Sequence, residues 1–171
     1  ARPEPSRGAR ETMSPLLALL PLALLAAPAR AEETRSACDW LQAAGAEAVL
    51  GAGTRLTPRI DRVDGAARFS VCLAEAPSGA TLTLLRRSDP GETRPVAALV
   101  AAYRAELAQA IGADPDLTPV DLGDAALWFA QMKQLTVWSH GGEVLMVFSA
   151  LAPAAQAQES ALAQAILGAG G

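Results

Sequence analysis

The sequence predicts an α+β domain in which an antiparallel sheet of about five to six strands has helices packed on one face. Runs of alternating apolar and polar residues are separated by glycine-containing turns, which is typical of antiparallel hairpins. Residues 95–111 and 153–167 repeat apolar side chains at the helical period. Helices with one apolar stripe need a sheet face on which to bury it, so the two patterns together indicate this class.

Residues 1–31 are left out of the fold because they have the pattern of an export segment. An apolar core at residues 16–27 ends in Ala29-Arg30-Ala31, the small-x-small pattern at which signal peptidase cleaves. At roughly a dozen residues, this core is too short for a membrane-spanning helix. We expect Met13 to be the first translated residue, with residues 1–12 upstream of it; a long basic leader is the alternative. Cleavage after Ala31 leaves one domain at residues 32–171.

The composition of residues 32–171 excludes some classes of protein. They carry ten basic and sixteen acidic side chains, whereas general nucleic-acid binders are normally basic. They contain no apolar run near the roughly 20 residues of a membrane span. A mostly polar stretch separates Cys38 from the apolar core, which argues against a lipid anchor. We therefore expect an exported protein, periplasmic or secreted.

The first elements are a helix, an edge strand and a hairpin. Residues 37–50 place apolar side chains on one helical face and end at a glycine. Residues 54–63 predict an edge strand, because Pro58 lacks the N–H that an interior strand donates. Residues 68–75 and 80–85 form a hairpin whose second strand alternates leucine and threonine.

A second helix and two short segments follow. Residues 95–111 predict a helix that begins with Pro95, where the missing N–H is harmless, and ends at Gly112. Residues 120–122 suggest a short strand. Residues 125–131 fit a strand or a helix equally well.

The clearest hairpin lies at residues 135–148, around a two-residue Gly141-Gly142 turn. This register pairs the following residues across the strands: His140 with Glu143, Trp138 with Leu145, and Val137 with Met146. A helix at residues 153–167 completes the chain. A hairpin-plus-helix unit thus occurs at about residues 68–111 and again at 127–167, and a duplication of this unit is a hypothesis.

Cys38 and Cys72 are predicted to form one structural disulfide. Export places both thiols in an oxidising compartment, where such a pair normally closes. The chain-entropy model gives roughly 3–4 kcal/mol of stabilisation for a loop of this length. A metal or redox pair is the alternative, but there is no Cys-x-x-Cys and no neighbouring histidine.

Two segments carry a resemblance to a known group of proteins. Cys38-Asp-Trp-Leu41, running to Val49-Leu50-Gly51, is similar to the Cys-x-x-Leu … Leu-Gly opening of small secreted bacterial domains of unknown function, best known as actinobacterial lipoproteins. Val120-Asp-Leu-Gly-Asp-Ala-Ala126 resembles the Gly-Asp-Ala-Ala segment of the same group. The resemblance implies an exported α+β fold and no assigned activity. This sequence departs from those lipoproteins by lacking the anchor cysteine.

No residues of the sequence combine into a catalytic or metal site. His140 stands beside Ser139, but adjacent strand residues point to opposite faces, so we expect that the two cannot share a proton. The aspartates of residues 114–124 lack the regular spacing and final glutamate of a calcium loop, and we expect Asp124 to form a turn. The sequence therefore predicts no enzyme activity, no cofactor and no metal.

The arginines are a candidate binding patch. Residues 52–95 have a net charge of about +2, whereas residues 96–171 have about −5. Guanidinium groups suit carboxylate or phosphate partners. The predicted anion or partner patch consists of five residues: Arg55, Arg59, Arg62, Arg86 and Arg87. An ordinary solvated face with Arg–Asp ion pairs is the alternative.

Two functions remain. The leading prediction is a non-enzymatic periplasmic accessory or protein-interaction module that works through its sheet face or an exposed edge. The alternative is a small-ligand-binding protein with a pocket between sheet and helices, near Trp128 and Trp138; core packing is the other explanation for these rings. The expected partner is an unknown envelope protein or a small ligand, and not a nucleic acid.

Overall fold

One antiparallel sheet organises the chain. The computed structural model describes residues 35–170, so the predicted export segment at residues 1–31 lies outside the described residues. Within the described part, seven strands pair in the order β1-β2-β3-β7-β6-β5-β4. The strands are β1 Arg55–Asp64, β2 Ala67–Glu75, β3 Thr81–Ser88, β4 Leu117–Val120, β5 Ala125–Phe129, β6 Gln134–Ser139 and β7 Val144–Leu151. The α+β class with an antiparallel sheet is confirmed, and the strand count of five to six is wrong because residues 125–129 form a full strand.

Four α-helices accompany the sheet within residues 35–170. They are α1 Ala37–Ala43, α2 Ala46–Leu50, α3 Val96–Ile111 and α4 Ala155–Ala169. The single helix predicted at residues 37–50 is in fact α1 and α2, because Gly45 has a φ of 74° and breaks the helical path. None of the helices described is long and apolar enough to cross a membrane.

The helices cover both faces of the sheet, so the prediction that they pack on one face is wrong. In β5, Ala126 and Trp128 pack into the core that contains residues of α1, α2 and α4. Leu127 and Phe129 point the other way and pack with Leu99 of α3. The physical reason is that β5 is apolar at every position, so both of its faces need a covering helix.

The larger of the two cores lies between the sheet and α1, α2 and α4. It buries Trp40 and Leu41 of α1, Leu84 of β3, Phe148 of β7 and Leu162 of α4 almost completely. Helix α1 is held at its start by a capping box, in which Ser36 and Asp39 satisfy each other's backbone N–H groups. The second core, beneath α3, is smaller.

The β6–β7 register is as predicted within the strands, but the ladder ends at Ser139 and Val144, and His140 and Glu143 are joined only by a turn hydrogen bond of 3.2 Å from the Glu143 N–H to the His140 carbonyl. Trp138 pairs with Leu145, and Val137 pairs with Met146. The meanders β1–β2–β3 and β5–β6–β7 meet at the antiparallel pair β3–β7. If a rotation related the two meanders, the helix after each of them would lie on the same face of the sheet. Helices α3 and α4 lie on opposite faces, so the two hairpin-plus-helix units are not equivalent.

Candidate interaction face

One half of the sheet is not covered by any described helix on the side where α3 packs. The central side chains of this surface, which we call the open face, are Phe69, Val71, Leu73, Leu85 and Val147. Each is half-buried, and none belongs to either hydrophobic core. Their chain neighbours on β2 point the other way: Ser70, Cys72 and Ala74 are buried. The alternation of β2 and β3 therefore puts apolar side chains on both faces, and a described helix covers only one.

The strand register aligns the open face into a continuous row. Ile60 of β1 lies opposite Val71, which lies opposite Leu85, which lies opposite Val147. The row crosses four strands and so spans roughly 14 Å at the usual strand spacing. Ile60, at the outer end, is 48% exposed. A contiguous apolar row of this kind at a protein surface is typical of a contact site.

A polar network bounds the open face on the side of α3. Thr136 donates from Oγ1 to the Tyr103 hydroxyl at 3.1 Å, and that hydroxyl donates to Oε1 of Gln134 at 3.1 Å. Gln134 in turn donates from Nε2 to Oγ of Ser149 at 3.1 Å. The Tyr103 ring packs edge-on against Trp138, with centroids 5.4 Å apart. These contacts hold α3 over β5 and β6 and form one wall of the open face.

The predicted arginine patch is split by the sheet. Arg55, Arg59 and Arg62 are exposed on β1, and none of them belongs to an ion pair found among residues 35–170. The Arg62 guanidinium lies 5.2 Å from the centroid of the Phe69 ring, at the margin of the open face.

Arg86 and Arg87 point to opposite sides of β3. Arg87 forms ion pairs with Asp89 and with Glu92, the latter at 3.7 Å. Arg86 is only 4% exposed and lies in the other face, with its guanidinium 5.1 Å from the Trp40 ring centroid. The five arginines are therefore not one surface: Arg86 faces the covered side, whereas Arg87 lies opposite Phe69 on the open side with its charge paired.

The two tryptophans proposed for a ligand pocket lie on opposite faces of the sheet. Trp128 packs in the larger core and lines a cleft of about 590 Å³ with Lys133, Pro153 and Ser160. Trp138 is buried against α3. The sheet separates the rings, so one pocket cannot contain both.

Ser139 and His140 do meet, contrary to expectation. His140 leaves the strand with a φ of 56°, which brings its Nδ1 within 3.2 Å of the Ser139 Oγ. Ser139 itself is 5% exposed, and the cavity beside the pair has a volume of about 10 Å³. That volume is at the lower limit for one water molecule.

The loop before β5 is tied to the tip of the β6–β7 hairpin. The carboxylate of Asp124 accepts a hydrogen bond from the Gly141 N–H at 2.7 Å, and the Asp124 N–H donates to the Trp138 carbonyl at 2.8 Å. Asp124 therefore holds a turn, as predicted. Within residues 35–170, no group of three or more His, Cys, Asp or Glu side chains is placed to hold a metal ion.

The predicted disulfide is present. Cys38 of α1 and Cys72 of β2 are bonded, with their Cα atoms 5.0 Å apart. A hydrogen bond of 2.8 Å from the Ala37 N–H to Oγ of Ser70 joins the same two elements.

Glu159 of α4 is a buried acid that was not among the residues predicted from the sequence to be functional. Its side chain is completely buried, and neither carboxylate oxygen has a hydrogen-bond partner. Burial raises the pKa of this carboxyl to about 8, a shift that the neighbouring backbone N–H groups of Ala150 and Leu135 oppose. The spacing of Glu159 from Ala155 and Leu162 places it on the inner stripe of α4, and this spacing is readable from the sequence.

No model of a known protein family, no curated protein and no solved structure matches this chain. The resemblance to actinobacterial lipoprotein domains stays a prediction.

Proposed function

We propose that this protein is an exported, non-enzymatic interaction module that binds a partner protein through its open face. The observation that carries the proposal is the apolar row Ile60–Val71–Leu85–Val147, which the described helices leave uncovered. Burial of such a row against a partner is favourable by roughly 25 cal/mol per Å² of apolar surface.

The open face is a better contact surface than either edge of the sheet. The outer strand β1 contains Pro58 and a bulge between Pro58 and Ile60, and it is exposed and charged along its length. The other outer strand, β4, has four residues and contains Pro119. Proline, bulges, charges and short length all oppose the addition of a further strand. The interaction is therefore assigned to the face.

Export is supported by the disulfide and by the pattern of residues 16–31. Disulfides form and persist in oxidising compartments, such as the periplasm and the extracellular space. The Cys38–Cys72 bond fits that environment. The apolar core and the Ala29-Arg30-Ala31 cleavage pattern predict the route to it.

Site-specific photocrosslinking in the envelope of the native host tests the proposal. A photoreactive phenylalanine analogue is placed at Val71 or Leu73 of the open face, and at Gln164, which is exposed on α4, as the control. One defined crosslinked product is expected from both open-face positions and none from Gln164. No product, or the same products from all three positions, would contradict the proposal.

The cleft beside Trp128 supports the alternative of a small-ligand binder. Its volume of about 590 Å³ falls in the range of ligand pockets. A lipidic or aromatic ligand bound there would quench the Trp128 fluorescence, and the change would disappear in Trp128→Phe. Equal quenching in the variant would remove this alternative.

A further inference from the structure

We propose that the partner segment received by the open face is an amphipathic helix that carries carboxylates beside its apolar stripe and lies next to α3. This inference rests on the proposed function and adds the chemistry of the partner.

The hydrogen bonding of the sheet favours a helical partner. The row of apolar side chains lies mainly on β2, β3 and β7, which are interior strands with neighbours on both sides. Their backbone N–H and C=O groups are occupied by the ladders, so the face offers side chains and few free backbone groups. An extended partner would bury unpaired N–H and C=O groups there, whereas a helix satisfies its own.

The dimensions of the open face also fit one helix. The row spans roughly 14 Å, and a helix with its side chains is about 10–12 Å wide. On the neighbouring half of the sheet, α3 already covers β5 and β6 in this way. A partner helix beside α3 would complete a helical layer over this side of the sheet.

The charges at the margin favour carboxylates on that helix. Two acids near this end of the row are not available to compete: Asp61 lies opposite Ser70 and so faces the covered side of the sheet, and Asp89 pairs with Arg87. Farther along β1, Arg55 lies opposite Glu75. Arg59 and Arg62 are both exposed.

These two cations outnumber the one remaining acid on that end of the strand, Asp64. The guanidinium of Arg62 over Phe69 is placed to pair with a carboxylate at the edge of an apolar contact.

The test uses two synthetic helical peptides of 18 residues with the same leucine stripe, flanked by glutamates in one and by lysines in the other. Amide shifts of the labelled protein locate the contact, and fluorescence anisotropy gives the affinity. We expect the acidic peptide to bind at least ten-fold more tightly at low salt, with shifts on β2 and β3. Added salt should reduce the difference.

The matched variants are Arg62→Glu and Lys133→Glu, which change the net charge equally. Lys133 is exposed in the β5–β6 turn, away from the open face. We expect Arg62→Glu to remove most of the preference for the acidic peptide and Lys133→Glu to leave it. Circular dichroism checks that both variants fold.

Each other outcome overturns the inference. Equal binding of both peptides would show an apolar contact without charge selection and would leave the proposed function standing. A photocrosslink at Val71 without binding of either peptide would show a partner that is not helical. Self-association at the open face, or shifts caused only by anionic vesicles, would identify a second copy or a lipid surface. Absence of both the crosslink and peptide binding would contradict the proposed function itself.

Discussion

Glu159 shows at the scale of one residue how burial changes chemistry. The side chain occupies a core position of α4, between Ala155 and Leu162, where the other inward residues are apolar. Its carboxyl group lacks a hydrogen-bond partner, so the charged form is strongly disfavoured and the pKa rises from 4.5 to about 8. The folded protein therefore holds a proton at this residue that the unfolded chain has released at neutral pH.

The consequence is a stability that falls as pH rises. Between pH 4.5 and about 8 the folded state binds more protons than the unfolded state, so the free energy of unfolding decreases with pH in this window. The full loss is roughly 3–5 kcal/mol, at about 1.4 kcal/mol per pKa unit. We expect Glu159→Gln to flatten this dependence and to be more stable than the parent at pH 8. Urea unfolding at pH 5, 6.5 and 8 measures it, with the exposed Glu106→Gln as the control. An unchanged slope in Glu159→Gln would contradict the assignment.

Gly123 is a second residue whose identity the structure explains. It has a φ of 58°, and a Cβ placed there would clash with the Trp138 carbonyl oxygen. Glycine at this position therefore allows the loop to approach β6 closely enough for the hydrogen bonds of Asp124. This gives a physical reason for the Gly-Asp pair in the Gly-Asp-Ala-Ala segment.

Gly123→Ala should lower the free energy of unfolding by more than the cost of a left-handed backbone conformation. The left-handed conformation costs about 1–3 kcal/mol for a non-glycine residue, and the contact with the Trp138 carbonyl adds to it. Gly112→Ala is the matched control, because its φ is 72° and nothing lies within 4 Å of the added Cβ. Urea unfolding of both variants measures the difference. Equal losses would show that the loop moves aside at no cost.

At the scale of elements, the spacing of apolar and turn residues predicted the position of most helices and strands. The remaining elements were decided by pairing with other strands. The edge position of β1 followed from Pro58, and the β6–β7 register followed from the double glycine. The ambiguous residues 125–131 became β5 and a short turn, because β4 and β6 pair with the strand on its two sides. No local pattern distinguishes these outcomes, since the pairing strands are the source of the stabilisation.

The disulfide joins two elements, and its removal should weaken their contact. We expect the double variant Cys38→Ser/Cys72→Ser to lose roughly 3–4 kcal/mol of unfolding free energy, because the unfolded chain regains the freedom of the closed loop. Urea unfolding checks this, with the reductant-treated parent as a second measure. Reductant should have no effect on the double variant. A parent that is equally stable before and after reduction would contradict the prediction.

At the scale of the whole molecule, the two sides of the sheet differ in how they are covered. One side carries α1, α2 and α4, and the other carries α3 over one half and leaves the open face. Leu84 and Leu85 are neighbours on β3 and belong to opposite sides. Substitution of each leucine therefore compares the covered side of the sheet with the open face.

Leu84→Ala should cost about 2–5 kcal/mol, the usual range for a fully buried leucine. Leu85→Ala should cost less than half as much, because its side chain is only partly buried and lies at the surface of the open face. Urea unfolding of the two variants gives the comparison. Equal losses would show that the open face is covered in solution and would contradict the proposed contact surface.

The sequence by itself determined the class of fold, the disulfide partners, the edge position of β1 and most element positions. These follow from periodicity, turn residues and composition, which act over short distances along the chain. Only the tertiary structure decided that helices lie on both faces, that Trp128 and Trp138 are separated, and that half of one face stays open. The side of the sheet on which a helix packs depends on the path of its connection and on strand pairing between distant residues. The open face results from that arrangement. Its residues therefore have the same alternating apolar pattern in the sequence as residues of the core.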